Sequence, residues 1–253
     1  MDDHYTENTK TFVPLENNPQ IMTALSHHLG LSPALSFTDV YSLTDPSLLS
    51  LLPRPCFALL FIAPETPSLI ALRDAEDAQL PTYAGSSAAE PILWYRQTIR
   101  HACGLIGLLH CITNDPAAGL IMPDSALAKL REEVLGLEPT ARAQYLYDSE
   151  MLEAAHAQFA AQGDTVAPDA LTYDDGHAFI AYVKGSDGHL YELEGRRKGP
   201  LDRGGLAEDE DVLSEAALRK GPLRYVEAAE KAGGEGKNGQ FSCIALGITP
   251  EAD

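Results

Sequence analysis

The 253 residues read as one mixed α/β domain, and three stretches lead to that fold class. Residues 56–63, CFALLFIA, are a continuous apolar run of strand length, the pattern of a central strand covered on both faces. Ile21, Met22, Leu25 and Leu29 recur at helical spacing. From Cys103 onward, Ile106, Leu108, Leu109 and Ile112 leave hardly any polar face, which marks a helix buried in the domain centre. With 45% hydrophobic residues, a chain of this length can bury one large core, and no internal repeat or second domain is visible.

Taken in order, residues 1–11 are polar and are expected to be disordered. The domain runs over 12–248, and residues 249–253 form a tail. Asn17 or Asn18 as N-cap and Pro19 in the first turn open the first helix, and Gly30 closes it. Residues 37–41 alternate as a short strand, and Pro53-Arg54-Pro55 breaks the chain before the central strand. Residues 65–93, with Pro67 and Pro81, read as a loop that carries no chemistry. Beyond the cysteine helix, residues 124–134 form a helix with Asp124 as cap, and another opens at Glu138-Pro139-Thr140. Residues 151–161 fit a helix, and the polar, breaker-rich stretch 162–168 is expected to be a mobile loop. Residues 179–184 and 189–193, separated by Gly185-Ser186-Asp187-Gly188, read as a hairpin. A helical region at 209–232 and a last apolar strand at 241–246 complete the chain.

The net charge of −19 disfavours nucleic acid and anionic membrane as partners and favours a basic one. No apolar run approaches the ~18 residues of a membrane-spanning helix, and the N-terminus is acidic and polar rather than a signal sequence. A soluble, intracellular protein is expected. The four cysteines, Cys56, Cys103, Cys111 and Cys243, have no paired spacing, so neither a disulfide framework nor a metal site is expected, and no cofactor is called for.

Cys103 stands where the buried helix begins. There the unpaired N–H groups and the positive end of the helix dipole stabilise a thiolate, which makes the sulfur nucleophilic at neutral pH. A cysteine in an apolar helix is more often inert core. Gly104 and Gly107, however, each cost a helix about 1 kcal/mol relative to alanine, which implies a close backbone approach. Gln97, six residues upstream, has a side-chain amide to offer an oxyanion.

The run Gln97-Thr98-Ile99, Ala102-Cys103-Gly104, Ile106-Gly107-Leu108 and His110 resembles the nucleophile motif of the ubiquitin carboxyl-terminal hydrolases. These are papain-like cysteine proteases that cut after the last glycine of ubiquitin. His101 stands where the family usually has asparagine, and Leu105 where it has threonine. The likeness extends through Pro14-Leu15-Glu16, Leu29-Gly30-Leu31, Asp39-Val40-Tyr41 and Pro53-Arg54-Pro55. It implies a papain-like α/β fold, a central antiparallel sheet flanked by helices, with a knotted backbone. It also implies that residues 148–175 cross over the active site and limit the enzyme to small or unfolded adducts. The implied partner is ubiquitin or a close ubiquitin-like protein, bound by a monomer in the cytoplasm or nucleus.

The same resemblance assigns roles. Cys103 is the nucleophile, and Gln97 with the Cys103 N–H holds the oxyanion. His177 is the base and Glu194 orients it, a glutamate where the family has aspartate. The family's histidine opens a strand as His-Phe-Ile, whereas this chain reads His177-Ala178-Phe179-Ile180, so alignment on Phe179 puts Ala178 in the histidine's place. One residue in a regular strand is a change of face. A base at His177 is therefore expected to need an irregularity between His177 and Phe179, which Gly176 would permit. A regular strand is expected to leave a catalytically impaired protein that binds ubiquitin without cutting it. His110 is expected to be hydrogen-bonded in the core, His189 to be a non-catalytic strand residue, and His101 to lower the thiol pKa when protonated.

Overall fold

A computed structural model describes residues 9–163, 176–233 and 241–249. In chain order the elements are α1 (Pro19–Leu29), β1 (Leu35–Asp39), α2 (Pro46–Leu49), β2 (Cys56–Pro64), α3 (Pro67–Ala78), α4 (Cys103–Ile112), a 3-10 turn (Ala117–Leu120), α5 (Ala126–Val134), α6 (Pro139–Asp148), α7 (Glu150–Ala160), β3 (His177–Lys184), β4 (His189–Leu193), β5 (Leu201–Gly205), α8 (Glu215–Lys220), α9 (Leu223–Lys231) and β6 (Ser242–Ile248). The strands form one six-stranded sheet in the order β1-β6-β2-β3-β4-β5, antiparallel throughout. Helices cover both faces.

Alternation along the central strands sorts the core into two layers. Ala58 and Leu60 of β2, with Phe179, Ala181 and Val183 of β3, face α1 and α4. Leu59 and Phe61, with Ala178, Ile180 and Tyr182, face Leu69 of α3, Leu218 of α8 and Tyr225 of α9. The central apolar strand is thus buried on both sides, as its unbroken hydrophobic run requires.

Local signals hold at the ends of α1, where the Asn18 side chain accepts from the N–H groups of Gln20 and Ile21 and Gly30 takes a φ of 120°. They miss elsewhere. The stretch expected to be a featureless loop from residue 65 contains α3, capped by Thr66 and opened by Pro67, yet Leu69 is its one buried residue. Without an apolar stripe, a helix leaves no periodic signal in sequence. Ser125 caps α5 in place of Asp124, which adopts a left-handed φ of 61°. The expected helix at 209–232 is two, parted by Gly221-Pro222. Strand β5 was hidden by its Asp-Arg-Gly-Gly composition, poor in β-formers.

The N-terminus is tied down earlier than expected. Lys10 Nζ lies 2.7 Å from the Glu153 carboxylate and donates to the Tyr147 carbonyl at 2.7 Å, and the Phe12 N–H bonds to Arg100 O at 3.0 Å. Residues 1–8 lie outside the described residues. So does 164–175, the second half of the expected crossing and most of the expected mobile loop; α7 occupies its first half.

Charge fastens α3 to the far end of the sheet. Glu76 of α3 accepts from Arg203 of β5, from Arg197 at 3.1 Å and from Arg224 of α9. Asp77 accepts from Arg197 at 2.7 Å. Burial alone would raise the Glu76 carboxyl, but hydrogen bonds from Arg203, Arg224 and Arg197 bring it down to about 2. A carboxyl held low in the fold binds its proton more readily in the unfolded chain, so its stabilisation is complete above the ordinary carboxylate range and fades as pH falls through about 2. The urea midpoint is expected to drop between about pH 5 and pH 2, and to drop less in Glu76→Gln; an equal drop in both proteins would remove Glu76 from the account.

Candidate active site

Helix α4 begins at Cys103, and every one of its residues is buried. Its N-cap is Ala102, which has no side-chain oxygen to offer the first-turn N–H groups. Ala102 therefore puts no side-chain acceptor in competition with the Cys103 sulfur at the positive end of the helix. The residue before the cap, His101, is 9% exposed and holds a φ of 58°, a strained conformation for a non-glycine residue of the kind that gathers at functional sites.

The two helix glycines have a spatial reason. A Cβ at Gly107 would lie 2.7 Å from Leu60 Cδ1 and 3.4 Å from Phe179 Cβ, and one at Gly104 would lie 3.0 Å from Leu15 Cβ and 3.6 Å from the Phe179 ring. Both let α4 settle directly onto β2 and β3 at Phe179. His177 lies two residues before Phe179.

Strand β3 pairs with β2 without a break in register, from Ala58↔Val183 to Pro64↔His177. The irregularity expected between His177 and Phe179 is not there. With period-two alternation, His177 falls on the face of Phe179, Ala181 and Val183, the one α4 covers, while Ala178 packs in the opposite layer at 1% exposure. The expectation that a regular strand would turn His177 away is therefore corrected. It assumed that Phe179 keeps the orientation of the motif's phenylalanine, whereas here Phe179 is the residue that packs on α4. Gly176 does adopt a left-handed φ, 56°, but ahead of the strand, where its carbonyl accepts from the Glu65 N–H at 2.6 Å.

Gln97 sits beside the end of β4. Its N–H donates to Gly195 O at 2.8 Å, its side-chain nitrogen donates to Ile99 O at 3.2 Å, and a Cβ on Gly195 would lie 2.8 Å from Gln97 Cβ and 2.9 Å from Ile106 Cγ2 of α4. Gly195 is the contact point between the β4 turn and the cysteine helix.

Glu194, 3% exposed, is held by arginines. Oε2 accepts from Arg73 Nη2 of α3 at 2.5 Å, and Oε1 accepts from the N–H and Nε of Arg196 at 3.1 and 3.2 Å. Burial opposes the charge, but Arg73 and then Arg196 hold the carboxyl below its usual range. Glu65 closes the group, accepting from Arg73 at 2.8 Å and from Arg196 at 2.6 and 3.1 Å. Arg196 loses by burial and gains more from Glu194, Glu65 and the Cys103 sulfur, so it is held above its ordinary value. The structure thus links Glu194 to Arg196 and Gln97 to Gly195 at the end of the sheet where β4 finishes and His177 opens β3. Arg73, Glu65 and Arg196 were missed in the sequence. The usable signal was Thr66-Pro67, a helix start within the supposed loop.

The other histidines have structural roles. His110 Nε2 accepts the Tyr95 N–H at 2.9 Å, and burial lowers its pKa to about 3, so it stays neutral in the core. His189, exposed, pairs with Asp202 at 2.9 Å. His156 meets Val13 O at 2.6 Å. All four cysteines are buried and unbridged. Among the described residues no group of acids, histidines and cysteines could hold a metal ion, and no helix is long and apolar enough to cross a membrane.

Comparison with known proteins matches residues 12–221 to the family model described as ubiquitin carboxyl-terminal hydrolase, family 1. Ubiquitin carboxyl-terminal hydrolases of Aplysia californica and Drosophila melanogaster are 32% and 34% identical over 209 and 212 residues, covering 81% and 83% of this chain and 91% and 89% of theirs. Among solved structures, the UCH37 catalytic domain of Trichinella spiralis bound to ubiquitin vinyl methyl ester shares the fold. Its TM-score is 0.68 at 20% identity, over 95% of this chain and 96% of that one.

Proposed function

The chain belongs to the ubiquitin carboxyl-terminal hydrolases, cysteine peptidases, and from that premise we propose that it releases small or unfolded adducts from the C-terminal glycine of ubiquitin. The Cys103 thiolate attacks the glycine carbonyl carbon, and the oxyanion that forms is held by the Gln97 side-chain amide and the Cys103 N–H. His177 takes the thiol proton and passes it to the departing amine, with Glu194 orienting the imidazole. Water, deprotonated by the same imidazole, then hydrolyses the thioester and frees the sulfur.

The observation that carries this reading is Cys103 at the uncapped start of a wholly buried helix, packed against the face of β3 to which the parity of His177 belongs. That parity also weakens the ground for an impaired protein, since Ala178 lies in the other layer. The net charge of −19 suits a basic partner. The unbridged cysteines suit the reducing cytoplasm or nucleus. Turnover of a fluorogenic ubiquitin C-terminal amide is the test. Wild type is expected to turn over, and Cys103→Ala to bind ubiquitin without turnover. Binding with no turnover by wild type would favour a ubiquitin-shielding role instead.

The limit to small or unfolded adducts has its own measurement. A short C-terminal peptide extension on ubiquitin is expected to be removed much faster than folded diubiquitin is cut, and equal rates would overturn the limit.

A further inference from the structure

The acid of the proposed site is glutamate, one methylene longer than aspartate and with one more rotatable bond to fix. A buried carboxylate on a flexible stem needs partners that set its place as well as its charge. In this chain they come from α3. Arg73 bridges Glu194 and Glu65 with separate nitrogens, and Arg196 bridges the same two acids, so Glu65, Arg73, Glu194 and Arg196 close a ring of alternating charge. Arg73 is the one member of that ring that reaches Glu194 from a different part of the chain, since Arg196 is two residues away on the same turn.

We propose that Arg73 is a positioning residue for the reaction: by spanning Glu65 and Glu194 it fixes the carboxylate at the end of β4 in its ionised, base-orienting position. This rests on the reading of Glu194 as the group that orients His177. The side chain is placed for it. Arg73 lies on the second turn of a helix that Thr66 caps and that Glu76 and Asp77 anchor to Arg197. The backbone of Glu65 is fixed by its bond to Gly176, the residue before His177. The ring therefore spans from the start of the base's strand to the acid. A planar guanidinium can serve two carboxylates at once, whereas an ammonium acts as a point charge.

The charged and titratable groups facing Glu194 set the expected pH behaviour. Besides His177, which the proposed reading has it orient, they include Arg73 from α3, Arg196 and Arg197 from its own turn, and His110 from α4. Glu65 and the Cys103 sulfur bear on it through Arg196. Removing Arg73 leaves burial less opposed, so the carboxyl rises and is protonated at higher pH. The acid limb of kcat/KM is then expected to move to higher pH.

The experiment compares wild type, Arg73→Met, Arg73→Lys, Glu65→Gln and Glu194→Gln on the fluorogenic ubiquitin amide, each with its thermal midpoint. Arg73→Met is expected to lose roughly ten- to a hundredfold in kcat at nearly unchanged KM, with the acid limb shifted upward. Arg73→Lys should recover part of both, and Glu65→Gln should show a smaller loss in the same direction. If Arg73→Met keeps kcat and the acid limb while Glu194→Gln is impaired, Arg73 is structural only and the proposal is overturned. A Glu194→Gln protein as active as wild type would instead overturn the role of Glu194. Should Arg73→Met fail to fold, Glu65→Gln decides, because an unchanged limb there also overturns the proposal.

Discussion

Replacing His177 by alanine is expected to lower kcat by roughly three orders of magnitude while ubiquitin binding stays near wild type, since losing the base strikes the chemical step. The expectation follows from the parity of β3. His177 shares its face with Phe179, and Phe179 lies in contact distance of where Gly104 and Gly107 would carry side chains on α4. Ala178→His is the paired variant. At 1% exposure among Ala63, Ile180 and the other residues of the second layer, the site has no room for an imidazole. Overpacking there should cost about 1–3 kcal/mol without raising turnover. The reverse result, a gain with Ala178→His and indifference to His177→Ala, would sink the assignment of the base.

The largest expected loss of stability comes from Glu192, on β4 two residues before the proposed acid. Its side chain is 1% exposed and accepts from Tyr225 at 2.7 Å, Tyr182 at 3.2 Å and Arg203 at 2.9 Å, with Arg197 at 3.5 Å. Arg197, Arg203 and Arg224 are matched there by Glu76, Asp77 and Glu192. Glu192→Leu leaves one guanidinium without its counter-charge and two buried phenol hydroxyls without an acceptor. Removing one partner of a buried ion pair costs about 3–5 kcal/mol, so a large fall in the urea midpoint is expected, with α3 and α9 the first helices to exchange their amide hydrogens. A shift under about 1 kcal/mol, the level of an exposed ion pair, would mean that water already screens this network. Glu192→Gln, which keeps an acceptor for the tyrosines, should fall between wild type and leucine.

What the amino-acid sequence determined by itself was whatever a short window of residues can carry. The apolar run of β2, the cap and glycine stop of α1 and the wholly apolar α4 with its glycines are local patterns with local physical causes, and each has its element in the fold. Cys103 at a helix start was legible for the same reason, as was the family, through motifs of a few contiguous residues. What only the tertiary structure decided depends on neighbours distant in the chain. Helix α3 is held by ion pairs to residues more than a hundred positions away rather than by an apolar stripe, so no periodicity announced it. Whether His177 or Ala178 looks toward α4 is a matter of which layer Phe179 enters, and that is set by two glycines on another element. The ring around Glu194 draws one residue after β2, one from α3 and two from the β4 turn, and its charges meet only once the sheet has brought those segments side by side.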